Sequence, residues 1–209
     1  GTICTMPEAI SWFRYTYLYV CMRQRGFGVD EREVTQTIKR ALRTLEDRQM
    51  VICNRETQSL TPTLLGRIAS LYYVTTESMC TFSERLRFDM NRPQLLNLIC
   101  SANELKQLQR VREEEKRELQ ELTRICRLPL PNPEDLAYNK PNILLQAHIS
   151  RAPLQNYTLI SESLYTGQNA SRIARALFEL ACVRMFASQA FDLIDIAKMV
   201  DQRLWPSQH

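Results

Sequence analysis

Residues 158–185 read TLISESLYTGQNASRIARALFELACVRM, and this run sets the architecture. At 1.5 Å per residue it predicts a helix about 40 Å long. At 100° per residue its faces separate. One side carries Ile160, Leu164, Gly167, Ala170, Ala174, Phe178 and Ala181, and the small residues among them permit close backbone approach to a bundle. The other side carries Tyr165, Gln168, Asn169, Arg172, Arg175 and Glu179. Ordinary solvated faces lean on Lys and Glu. An aromatic ring, two amides and two guanidiniums instead stack on bases and hydrogen-bond along a single strand. The same stripe also reads as a plain exposed face. With the packing residues all on the opposite side, Arg172→Ala is expected to leave folding nearly unchanged.

Outward from this helix the chain stays helical. A helix over Phe191–Trp205 follows it, and helices over Glu77–Phe88, Pro93–Ala102, Glu104–Cys126 and Asn142–Arg151 precede it. The mixed charge of Val111-Arg112-Glu113-Glu114-Glu115-Lys116-Arg117-Glu118 gives a solvated helix face. One long loop, Arg127 to Pro141, holds Pro129, Pro131, Pro133 and Pro141, which exclude a continuing helix. No strand is expected beyond Thr75.

The first 75 residues read differently. A helix starts at Pro7 and runs to about Arg25, ringed by Trp12, Phe13, Tyr15, Tyr17, Leu18, Tyr19 and Val20. A helix apolar on all sides needs partners on all sides. Gly26-Phe27-Gly28 breaks it, and Asp30 with Glu33 forms a capping-box-like start for the next. There Val34, Ile38, Leu42 and Leu45 recur at helical spacing, opposite Arg32, Gln36, Lys39, Arg40 and Arg43. Two short strands, Met50–Cys53 and Ser59–Thr61, flank the turn Asn54-Arg55-Glu56-Thr57, and Leu64–Val74 returns to helix. Helix, helix, hairpin, helix is the order of a winged helix. The fold class is therefore mainly α: a winged-helix domain followed by an α-helical bundle. The basic face at Lys39, Arg40 and Arg43 suits phosphates, but its bases are not interleaved with amides or aromatics, so a solvated or domain-packing face is the simpler reading.

Composition bounds the function. Only 5 glycines in 209 residues leave little for tight turns or phosphate loops. A net charge of +4 is compatible with nucleic acid without pointing to it. No GxxxxGK[ST] loop and no DExH-type acidic motif is present, so no active site is legible and no catalytic residue is assigned. The seven cysteines include no CxxC pair, and no metal set is expected. They read as reduced, mostly buried thiols of a nuclear or cytoplasmic protein. No apolar run reaches membrane-spanning length. Gly1 follows no initiator Met, so the chain reads as a processed or excised segment.

Those stretches resemble a known family. Gly1-Thr2-Ile3, Trp12 and Tyr15-Thr16-Tyr17-Leu18-Tyr19-Val20 are similar to the start of the winged helix in Ski-two-like superfamily-two helicases. Leu65-Gly66-Arg67-Ile68-Ala69-Ser70 with Tyr72-Tyr73 resembles their junction into the Sec-sixty-three homology region. Val111 to Lys116, Asn142 to Ala147, Arg172 to Glu179 and Asp201 to Trp205 continue the match in order. Tyr157 to Ser163 and Gln168 to Ala170 look most like two-cassette members. The resemblance implies a winged-helix domain at 1–75, a helical bundle with a ratchet-like helix at 76–185, and the truncated start of a helix-loop-helix subdomain at 186–209. It implies single-stranded nucleic acid at Tyr165, Gln168, Asn169, Arg172 and Arg175, with Arg172 standing where archaeal relatives place a Trp. It also implies motor domains of the same polypeptide that hold ATP and magnesium, with no cofactor in this segment. Further expectations are subunits of a larger complex as partners, no membrane, and, after Arg25, an insertion that is longer in the family and is either shortened here or missing from this sequence. A motor-less translocon subunit shares the homology region, so a protein-assembly scaffold is the alternative.

Overall fold

The computed structural model describes residues 3–24 and 31–206. The Gly26-Phe27-Gly28 break, the Asp30 cap and the segment after Arg25 lie outside them, as do Gly1 and Thr2. By compactness the chain divides into two units, Gly1–Arg67 and Ile68–His209. The architecture is mainly α, and the one sheet among the described residues has two strands.

In the first unit, α1 (Met6–Phe13) is started by Thr5, whose hydroxyl accepts from Glu8 N while the Glu8 carboxylate accepts from Thr5 N. The expected single helix to Arg25 is instead two: α2 is a separate element, Tyr17–Gln24. Thr16 accounts for the break. Its hydroxyl donates to Phe13 O at 2.7 Å and accepts from Tyr19 N, taking up backbone groups that a continuous helix would pair internally. Trp12, Tyr15 and Tyr17 stay exposed, Trp12 at 58% and Tyr15 at 86%, while Phe13 and Tyr19 are half-buried and pack edge-to-face.

Helix α3 (Glu31–Asp47) buries Val34 and Ile38, the first half of the expected stripe. Strands β1 (Val51–Cys53) and β2 (Leu60–Pro62) pair antiparallel with Ile52 opposite Thr61. Asn54 closes the hairpin, its Oδ1 accepting from Glu56 N and Thr57 N. Ser59, expected in the second strand, bridges to Thr5 instead. Helix α4 (Leu64–Leu71) begins where Thr63 donates to Met50 O, and a Cβ on Gly66 would fall 2.0 Å from that same oxygen. Only glycine fits there.

The second unit begins within α4 and continues with α5 (Thr76–Arg85), α6 (Arg92–Cys100), a 3-10 turn (Asn103–Leu108), α7 (Glu113–Ile125), α8 (Leu136–Ile149), α9 (Tyr157–Val183) and α10 (Ala187–Gln202). The expected helix Glu104–Cys126 is broken at 109–112. On one side of the break the Glu104 carboxylate is committed to α5, accepting from Thr75 N at 2.8 Å and from the Ser78 hydroxyl. On the other, Glu115 accepts from Arg112 N and starts α7.

Two more expectations fail for tertiary reasons. Pro141 lies inside α8, which starts five residues before the end of the expected loop because Asp135 caps it, accepting from Tyr138 N at 2.9 Å. Its neighbours Asn139, Lys140 and Asn142 are buried, Asn139 donating to Asn132 O, Lys140 to Arg110 O, and Asn142 Oδ1 accepting from Gln146. Nor is the acidic run on α7 wholly solvated: Glu115 is fully buried against Lys140 at 2.7 Å. Lys140 also meets Glu162 of α9 at 2.6 Å and donates to Arg110 O. One lysine thus ties α7, α8 and α9 together. Around this triad lies a core of Leu119, Leu122, Ile143, Leu144, Ala147 and Leu159. The cysteines are also corrected, since Cys100 alone of the seven is buried. Among the described residues no helix is long and apolar enough to cross a membrane, and no group could hold a metal ion.

Candidate nucleic-acid interface

Helix α9 has 27 residues, close to the length expected. Asn156 starts it, its Oδ1 accepting from Thr158 N and Leu159 N. The Glu118 carboxylate of α7 accepts from Gln155 N and Asn156 N and fixes where the helix enters the bundle.

The small-residue side packs as expected at Gly167, Ala170, Ala174 and Ala181, which are buried, with Phe178 half-buried. Gly167 answers a specific neighbour. A Cβ there would lie 2.6 Å from His148 Nε2, so the imidazole rests directly on the helix backbone. Burial pushes His148 below its ordinary pKa, helped by the nearby Arg203 charge and partly opposed by a hydrogen bond with the Val200 backbone. Ile160 and Leu164, assigned to this packed side, are instead exposed.

The polar side is more committed than its composition suggests. Tyr165 is half-buried and donates from its hydroxyl to Glu104 O at 3.2 Å. Asn169 is buried; its amide donates to Tyr165 O at 2.8 Å and its Oδ1 accepts from Arg172. Arg172 reaches across to the end of α4, donating to Tyr72 O at 3.0 Å and to Tyr73 O. Glu179 accepts from the Tyr72 hydroxyl at 3.1 Å. Burial, and then that hydrogen bond and the Glu179 charge, raise the Tyr72 pKa against the pull of Arg175. Arg175 pairs with Asp201 of α10 at 2.7 Å. Gln168 is exposed and makes no hydrogen bond among the described residues.

The solvent stripe of α9 therefore runs Tyr157, Ser161, Leu164, Gln168 and Arg175, turned from the expected one. Starting at Tyr157, successive steps of four, three, four and seven carried this signal in the sequence, whereas the partners of Tyr165 and Arg172 are distant segments that periodicity does not show. Beside the stripe, α8, α9 and α10 enclose a cleft of about 370 Å³ lined by His148, Gln168, Arg172, Arg175, Asp201 and Arg203 among others. In the first unit Lys39, Arg40 and Arg43 are exposed on α3. Lys39 also borders a groove against α1.

The chain matches the Sec63 Brl domain over residues 62–208. It is 37% identical to activating signal cointegrator 1 complex subunit 3 of Gallus gallus and 35% identical to that of Homo sapiens, in each case over 98% of this chain and 10% of the relative. It is 34% identical to the U5 small nuclear ribonucleoprotein 200 kDa helicase of Drosophila melanogaster, over 99% of this chain and 10% of the relative. The chain thus spans about a tenth of the length of the curated relatives it matches.

Proposed function

This chain belongs to the Sec63 Brl domain family, and from that premise we propose that it is the non-motor segment of an ATP-dependent nucleic-acid helicase, guiding a single strand past the motor. The observation that carries the reading is the alignment of nearly the whole chain to a tenth of a protein named as a helicase. In this reading ATP and magnesium bind the motor domains of the same polypeptide, since the chain lacks a phosphate loop and a magnesium carboxylate. The strand lies along α9. Gln168 and Arg175, the accessible members of the expected set, touch it, while Tyr165, Asn169 and Arg172 hold the helix in place. Lys39, Arg40 and Arg43 give a second, phosphate-directed contact. The relatives are named as a complex subunit and a small nuclear ribonucleoprotein helicase, which supports membership of a larger complex; in this reading the chain works in the nucleus or cytoplasm.

Fluorescence anisotropy with a labelled oligouridylate and a blunt duplex tests this. Single-strand binding that weakens steeply with salt is the expected result. Equal affinity for the duplex, or no binding at low salt, overturns it.

One observation favours a scaffold instead. Phe178, Met185, Phe186 and Phe191 line an apolar groove where α9 turns into α10, with Met185 87% exposed. Exposed apolar surface of this kind serves protein contacts. A chain that binds no single strand while retaining its fold supports that alternative.

A further inference from the structure

Three guanidiniums, those of Arg172, Arg175 and Arg203, line the cleft beside α9, with Asp201 as its carboxylate. They are not equivalent. Arg172 is pinned by the Tyr72 and Tyr73 carbonyls, and Arg203 by His148 O at 3.0 Å. These two contribute fixed positive potential. Arg175 instead meets a side chain, Asp201, at 2.7 Å, and the two side chains are 45% and 42% exposed. An exposed pair of this kind is weak and readily exchanged.

Resting on the single-strand reading above, we propose that Asp201 stands in for a backbone phosphate, and that a bound strand takes Arg175 from it. A carboxylate and a phosphodiester each offer a guanidinium two oxygens sharing one negative charge, so one can replace the other without moving the helix. The two pinned arginines favour the exchange because they attract the phosphate whether or not Arg175 is released. Gln168 and Ser171 on the same cleft wall then face the sugar or base next to that phosphate. The ligand class is a single-stranded phosphodiester chain. Asp201 sets how tightly it binds by competing for Arg175.

Anisotropy titration of a labelled oligouridylate by the whole chain tests the exchange, with thermal melting as the check on folding. Asp201→Asn should tighten binding by about two- to fivefold at low salt, and Arg175→Ala should weaken it. In the Arg175→Ala background, Asp201→Asn should change nothing. Asp195→Asn removes the same charge from α10 where it faces Arg92 and Lys198 instead, and should leave affinity unchanged. An equal gain from Asp195→Asn, or a gain from Asp201→Asn that persists without Arg175, overturns the exchange and leaves the single-strand reading standing. No binding by any variant, the unaltered chain included, overturns both.

Discussion

Arg151 and Arg203 cap each other's helices. Arg151, two residues past the end of α8, donates to Arg203 O at 3.1 Å and to Gln202 O at 3.0 Å at the end of α10. Arg203, just past α10, donates back to His148 O at the end of α8. Both backbones are left-handed, with φ of 52° and 54°, as at many helix ends. Cations at helix C-termini also suit the dipole.

The clasp predicts an order of stabilities. Arg203→Ala should destabilise by about 1–2 kcal/mol, losing a charged donor while keeping a Cβ in a left-handed conformation. Arg203→Gly loses the same donor but relieves the conformation, so it should melt at higher urea than the alanine variant. Equal midpoints would show that the left-handed cap carries no strain.

Gly167 and His148 should behave as a coupled pair. Gly167→Ala drives a Cβ into the imidazole and should cost about 1–3 kcal/mol; adding His148→Ala should recover much of that in a double-mutant cycle. A pH dependence follows as well. His148 has a folded pKa below its unfolded value, so the unfolded chain takes the proton first. Stability contributed by the neutral ring is present above about pH 6.5 and lost as pH falls below it toward the folded value. His148→Gln should flatten that slope in urea melts, and an unchanged slope would place the acid sensitivity elsewhere.

Lys140 holds two carboxylates from two helices in a buried site. Lys140→Met should destabilise by about 3–5 kcal/mol, because Glu115 and Glu162 lose the buried ammonium between them. Adding Glu115→Gln should restore a substantial part. If the single variant loses less than about 1 kcal/mol by calorimetry, the triad is not the tie between α7, α8 and α9 that its geometry describes.

Arg172→Ala reverses the expectation drawn from sequence. The structure gives this guanidinium the Tyr72 and Tyr73 carbonyls and the Asn169 amide oxygen, so its loss should lower stability by about 1–2 kcal/mol. Thermal melting beside the Gln168→Ala variant reads the difference: Arg172→Ala should melt early and Gln168→Ala should not. Coincident melts would return Arg172 to the free strand-contacting set.

The contrast between those two residues shows how far the sequence reaches. Helical period located α9 and the buried line of Gly167, Ala170 and Ala174, while the helix expected over Phe191–Trp205 overlaps α10, which starts earlier and ends at Gln202. Periodicity is local, however. It gives the face on which Arg172 lies but not the carbonyls about 100 residues away that occupy it. It separates charged from apolar residues but cannot know that Glu115 meets Lys140, 25 positions on. The breaks at Thr16 and at 109–112 arise the same way, from side chains competing for backbone groups. What the sequence supplied of the site was its helix and its residue types. Which side chains remain available for a strand is a tertiary fact.

Photo-crosslinking tests most directly whether α9 carries a strand on its exposed stripe. A photoreactive amino acid is placed in turn at Leu164, at Gln168 and, as the control, at Arg117 on α7, whose side chain is 92% exposed. Each variant is irradiated with a labelled oligouridylate at low salt. Crosslinks are expected at Leu164 and Gln168 that an unlabelled single strand competes away, with none above background at Arg117. Crosslinking at Arg117 equal to that at Gln168, or none at Gln168 while the strand is bound, means that the strand does not run along α9.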